Sequence, residues 1–173
     1  MTYILIGHKR RQGKDSVAKI IKSLDDRVEI ISFAEPLKLL VADMLGVTVE
    51  TLNTMKNESD IFRKTLQNFG NGVMKDIFGK NVWKDLLIQR AELLAKERGC
   101  RYIVVPDFRF PNEYIPGAYT INVTGLTKSV DTHESETALD EWKYDYVIHN
   151  IGSMADLELQ TARVFQMIVE NNT

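Results

Sequence analysis

The first twenty-one residues, MTYILIGHKRRQGKDSVAKII, constrain the fold most, because they run from a strand through a glycine loop into a helix. Tyr3–Ile6 is a short apolar run suited to a buried strand. From Lys14 onwards Val17, Ile20, Ile21 and Leu24 recur at i, i+3, i+4 and i+7, the mark of an amphipathic helix with one inward face. Between them stand Gly7 and the pair Gly13-Lys14. In such a loop backbone N–H groups wrap an anion, the helix N-terminus adds partial positive charge, and the lysine reaches the terminal phosphates of a nucleotide. Strand, glycines, lysine and periodic helix in this order make an accidental Gly-Lys turn the weaker reading.

The loop departs from the usual pattern in two places. Five residues, 8–12, separate the glycines, where the pattern has four. The extra residue falls on the strand side, among the basic triplet Lys9, Arg10 and Arg11, so the geometry beside Lys14 is expected to persist while the insertion bulges near Arg10. Either Arg10 or Arg11 can then meet the phosphates. Asp15 stands where a hydroxyl residue normally follows the lysine. It has two equal readings: a carboxylate facing Mg2+, directly or through water, or an acidic residue in a first helical turn, favoured by the dipole by up to about 1 kcal/mol. Ser16, one place later, can supply the hydroxyl. Phosphoryl transfer asks a protein for positioning, charge neutralisation and exclusion of water. Three extra cations in the loop bring charge for a second phosphate group, which points to a kinase with a phosphorylated acceptor.

The rest of the chain alternates strands with helices. Val28–Phe33, Tyr102–Asp107, Ala118–Val123 and Tyr144–Asn150 read as strands. A helix opened by Pro36 is expected to turn Leu37, Leu40, Val41, Met44 and Leu45 inward and to stop at Gly46. The middle, roughly Ser59 to Arg98, reads as helical, with a stripe of Phe62, Leu66 and Phe69, an interruption at Asn68–Gly72, and a second face at Trp83, Leu86, Leu87, Ala91, Leu94 and Ala95. A closing helix from about Met154 offers Leu157, Ala162, Phe165, Ile168 and Val169. The expected fold is therefore α/β: a three-layer sandwich with the phosphate loop after its first strand, and a five-stranded, mostly parallel sheet covered by helices on both faces.

A second cluster of functional residues follows the third strand. Asp107 falls at its carboxyl end, where open α/β sheets bind ligands, and can hold a Mg2+-bound water or accept a substrate hydrogen bond. Arg109 can bridge transferred and accepting phosphates. By spacing alone, Arg63 reads as a surface charge, Trp83 as core, His133 as a surface histidine, and Glu113 as a cap, a pair or a ligand.

With 173 residues, the chain is one ordinary domain able to bury a core. Hydrophobic residues at 44% and charged residues at 27% indicate a soluble, globular protein. The net charge of −2 argues against a long nucleic-acid groove, and no membrane partner is expected. A single cysteine, Cys100, fits a reducing, cytoplasmic setting.

Taken together, "GKDS", "SFAEPLK", "LQNFGNGV", "VWKDLL", "PDFRFPNE", "HESE" and "DYVIHNIGS" resemble, in order and over nearly the whole chain, the phage deoxynucleoside monophosphate kinase family of P-loop kinases. The resemblance implies transfer of the γ-phosphoryl of ATP to a deoxynucleoside monophosphate, with Mg2+, in the host cytoplasm. It implies that Arg11, Gly13, Lys14, Asp15 and Ser16 hold ATP phosphates and metal, and that Lys9 points towards the acceptor phosphate. Leu37 and Lys38 would line the monophosphate site, Arg63 would clamp its phosphate, Gly70 would allow close approach, and Trp83 would pack by the base or sugar. Asp107 and Glu113 would contact the accepting nucleotide with Arg109 beside them, and His133–Glu136 would belong to a covering segment. One domain is expected over 1–173, with a helical substrate-binding insertion at about 46–98 and a lid at about 125–143. Asn71 replaces the family's threonine after the glycine. Two rivals stand beside this reading: a kinase acting on a hydroxymethylated base in DNA, and a non-catalytic nucleotide switch. A homodimer is compatible with it.

Overall fold

Each strand is short and mostly apolar, and the connections between strands return the chain to the same end of the sheet, so the strands pair in parallel. The structure, a computed structural model, describes residues 1–7, 9–125 and 134–172. Five parallel strands, β1 (Thr2–Gly7), β2 (Val28–Ile30), β3 (Tyr102–Val105), β4 (Tyr119–Thr124) and β5 (Tyr146–His149), lie in the order β2-β3-β1-β4-β5. The helices are α1 (Lys14–Leu24), α2 (Glu35–Leu45), α3 (Val49–Glu58), α4 (Asp60–Asn68), α5 (Met74–Phe78), α6 (Val82–Arg98), α7 (Glu134–Thr137) and α8 (Met154–Glu170). This is the expected α/β fold.

Alternation along the strands feeds two cores. Ile4 and Ile6 of β1 pack with Val17 and Ile21 of α1 and with Phe165 and Ile168 of α8. Leu5, from the same strand, packs on the other face with Trp83, Leu87 and Leu94 of α6 and with Phe108. The sheet is covered on both faces, as its continuous apolar runs require. Among the described residues no helix is long and apolar enough to cross a membrane.

Several expectations change in detail. The second strand ends at Ile30, not Phe33, because the N–H groups of Phe33 and Ala34 turn away to the Asp107 carboxylate. Gly46 does stop α2 in the left-handed region at φ 65°, but Leu40, Met44 and Leu45 are exposed and only Ala42 of that helix is buried. The helix packs on α3 and α6 and leaves its far side bare. Leu24, at the last position of α1, is likewise exposed. In α8, Thr161 and Val164 are buried along with Leu157, Phe165 and Ile168.

The helix α3 was not expected from periodicity; Thr48 caps it, accepting from the Thr51 N–H at 3.1 Å. Ser59 then caps α4 through the Phe62 N–H at 3.2 Å, so the chain turns sharply between the two helices. The expected interruption is a π-helical turn at Phe69–Val73, carrying the two glycines of the segment.

Candidate active site

Parallel topology places the ends of β1 and β3 side by side, so the loop before α1 and the segment after β3 meet at one edge. The loop accommodates its extra residue through backbone conformation. Arg11 takes a left-handed φ of 61°, uncommon for a side chain with a Cβ, and Gly13 follows at φ 96°. Gln12, between them, is buried, and its carbonyl accepts from Asn150 Nδ2 at 3.0 Å just after β5. A Cβ on Gly7 would stand 2.4 Å from the Tyr144 hydroxyl oxygen, so glycine there is required by a tyrosine from another part of the chain.

Lys14 is buried, and its ammonium donates to the Lys9 carbonyl. Burial first, and then the charge of Arg109, lowers its pKa to about 8, against the opposing pull of Glu136, Asp15 and Asp107. Asp15 is exposed and Ser16 half-buried in the first turn of α1. Among the described residues no three His, Cys, Asp or Glu side chains group to hold a metal. A divalent cation would therefore need oxygens from a bound phosphate beside those two side chains, which is the usual way Mg2+ is held at such sites. Lys9 pairs with Asp140 at 2.9 Å, and the Arg10 and Arg11 side chains are exposed.

After β3 the chain delivers three carboxylate and guanidinium groups to the same edge. Asp107 accepts from the Phe33 N–H at 2.9 Å and the Ala34 N–H at 3.1 Å, fixing the start of α2 and with it Leu37 and Lys38. Burial raises the Asp107 pKa, offset by those two N–H groups and by Arg109 and Lys38. Glu113 is buried; one of its oxygens accepts from the N–H of Arg109 at 2.8 Å and of Phe110 at 3.0 Å. Burial, with Asp107 nearby, still raises its pKa to about 7. The Arg109 guanidinium pairs with Glu136 of α7, whose other oxygen accepts from the Arg10 N–H at 2.6 Å.

The helical segment brings a third group. Arg63 is half-buried, donating through Nη2 to the Lys56 carbonyl at 3.2 Å and lying 3.5 Å from Asp60. Trp83 is buried, with its indole N–H donated to the Gly70 carbonyl at 3.1 Å. A Cβ on Gly70 would come within 2.6 Å of Leu37 Cδ2, so it is Leu37 that approaches the glycine. His133 and residues 126–132 of the covering segment lie outside the described residues.

Sequence reading overlooked Lys56, Gln12, Asn150 and Tyr144, and gave Glu136 no individual role. Lys56 lies seven residues before Arg63, a same-face spacing hidden by the Ser59 break. The others act through contacts between distant segments and leave no local pattern.

Lys14, Arg109 and Glu113 thus lie beyond the carboxyl ends of the adjacent strands β1 and β3, and the comparisons with known proteins point to a nucleotide enzyme. A family model described as deoxynucleotide monophosphate kinase matches residues 42–161, more than half of the chain. The chain belongs to this family. It is an ATP-dependent nucleotide kinase. The matched stretch lies beyond the Gly7–Gly13 loop and includes α3 to α7. The kinase is also similar in fold to a dephospho-CoA kinase from Campylobacter jejuni, at 15% identity over 99% of this chain and 98% of that chain, with a TM-score of 0.50. No curated protein matches the chain.

Proposed function

We propose that this kinase transfers the γ-phosphoryl of ATP to the phosphate of a deoxynucleoside monophosphate, releasing ADP and the deoxynucleoside diphosphate. One observation carries the reading: the Arg109 charge bears on Lys14 of the loop and also, after Lys38 and Arg63, on Lys56 of α3, so one guanidinium acts on cations of both the loop and the helical segment. Two anions side by side are what a phosphate-to-phosphate transfer needs.

The donor triphosphate would lie against Gly13, Lys14 and Arg11 at the N-terminus of α1. Arg10, whose charge reaches Lys56, would serve the acceptor side together with Lys9. Asp15 and Ser16 would hold Mg2+ directly or through water. The ion would neutralise charge on the triphosphate. Lys38 and Arg63 would hold the acceptor phosphate, with Leu37, Gly70 and Trp83 forming the wall behind its sugar and base. Asp107 would set the Leu37–Lys38 turn, and Glu113 would hold the Arg109 backbone so that its guanidinium bridges the two phosphates. In an in-line step an acceptor phosphate oxygen attacks the γ-phosphorus. The bond to the β-phosphate oxygen breaks, and Lys14 and Arg109 stabilise the charge that spreads over the transferring group. Holding both anions in register supplies up to about 7–11 kcal/mol of the barrier reduction.

In this reading residues 1–173 form one kinase domain, 46–98 its acceptor-binding helices and 125–143 its lid. The test is a coupled ADP assay with a panel of deoxy- and ribonucleoside monophosphates, oligonucleotides, and no acceptor. ADP formation dependent on a deoxynucleoside monophosphate, lowered roughly 100- to 1,000-fold by Lys14→Met, is the expected result. Turnover only with oligonucleotides, or equally fast without acceptor, overturns it.

A further inference from the structure

Lys56 stands near the end of α3, half-buried, one short turn before α4. Its carbonyl accepts from Arg63 Nη2, yet its ammonium has no hydrogen-bond or ion-pair partner among the described residues. Arg63 is also incompletely paired: Nε is buried and unpartnered, and only the exposed Asp60, 3.5 Å away, faces Nη1. Burial first, and then the charges of Lys38, Arg63, Arg109 and Arg10, lower the pKa of the Lys56 ammonium.

The carboxylates that Arg109 and its neighbours bring to the site are already engaged. Asp107 accepts from Phe33 and Ala34, Glu113 from Arg109 and Phe110, and Glu136 from Arg109 and Arg10. The Lys38, Lys56, Arg63 and Arg109 cations are half-buried, and half-buried like charges acting on each other are costly unless an anion joins them. The anion that fits is small, multiply charged and able to accept from several directions at once, which describes a phosphate dianion better than a single carboxylate.

We propose that Lys56 binds the 5′-phosphate of the acceptor nucleotide together with Arg63, so that the α3–α4 turn reads the charge of the acceptor. This assignment rests on the acceptor reading above. It makes Lys56 a specificity residue: it favours a phosphorylated acceptor over the bare deoxynucleoside without contacting the base.

The experiment compares the wild-type kinase with Lys56→Met and Lys56→Arg, measuring KM for the best monophosphate, KM for ATP, and competitive binding of the matching deoxynucleoside. Lys56→Met is expected to raise KM for the monophosphate roughly 10- to 100-fold. KM for ATP and the deoxynucleoside affinity stay as in the wild type, and Lys56→Arg recovers most of the loss. An unchanged monophosphate KM in Lys56→Met overturns the assignment. So does a parallel loss of deoxynucleoside affinity, since that is what damage to α3 alone would produce. A wild-type protein that phosphorylates no monophosphate sinks the acceptor reading itself, a result distinct from an active wild type with an indifferent Lys56→Met.

Discussion

Arg109 and Glu136, 27 residues apart in the chain, form an ion pair whose carboxylate is buried, and the second oxygen of the same carboxylate takes the Arg10 N–H from the glycine loop. One carboxylate therefore joins the loop after β1 to the segment after β3. It also supports the charge on Lys14. Glu136→Gln should destabilise the ligand-free protein by about 1–3 kcal/mol, because a charged hydrogen-bonded partner is lost among cations. In thermal unfolding the variant should melt several degrees below the wild type. Added pyrophosphate should then raise the melting temperature more in the variant than in the wild type, since the anion replaces the missing charge. Equal melting temperatures without ligand would remove Glu136 from this role.

Glu113 predicts a pH dependence of stability. Its pKa is raised to about 7 by burial, above its ordinary 4.5. Between those values the folded state holds a proton that the unfolded state has released, so the wild type loses stability as pH rises from about 4.5 to about 7. The displacement corresponds to roughly 3 kcal/mol at most. Glu113→Gln keeps an acceptor for the Arg109 and Phe110 N–H groups without this titration. Denaturant melts of both proteins from pH 4.5 to 8 should show the variant gaining on the wild type across that interval. Parallel curves would mean that Glu113 titrates normally.

The contact between Gly7 and Tyr144 gives a stability test independent of ligands. With the tyrosine hydroxyl oxygen 2.4 Å from the position of a Cβ, and Cε1 3.0 Å away, Gly7→Ala must displace the ring. A loss of about 1–3 kcal/mol is expected in denaturant unfolding. Removing the hydroxyl by Tyr144→Phe should recover part of that loss in the double variant, a coupling that a thermodynamic cycle isolates. Strict additivity of the two substitutions would contradict the contact.

Asp107 holds the N–H groups of both Phe33 and Ala34, one on each oxygen. In Asp107→Asn an amide NH2 would face one of those donors. The start of α2 should loosen at a cost of about 1–3 kcal/mol. Because Lys38 rides on that turn, the KM for the acceptor should rise more than the KM for ATP. A variant with wild-type stability and an unchanged acceptor KM would show that Asp107 does not set the turn.

Some of this protein was written locally in the chain. Apolar runs such as Tyr102–Val105 and the periodic face of Val17 and Ile21 require strands and helices that bury them, whatever surrounds them. The Gly13-Lys14 step before a helix announces an anion site because backbone geometry and the dipole act within a few residues. The position of Asp107 and Arg109 just past the carboxyl end of β3 was legible because the apolar run Tyr102–Val105 before them reads as a buried strand.

Tertiary structure decided which distant side chains share that edge. The exposure of Leu40, Met44 and Leu45 depends on what packs against α2, which periodicity does not specify. The left-handed Arg11, the anchoring of Gln12 by Asn150, and the need for Gly7 under Tyr144 arise from segments far apart in sequence. So does the gathering of Lys56, Lys38, Arg63, Arg109 and Arg10. Hydrogen-bonding propensity and helical period act over one or two turns, whereas charge repulsion and steric contact act through space, and only the folded chain fixes those distances.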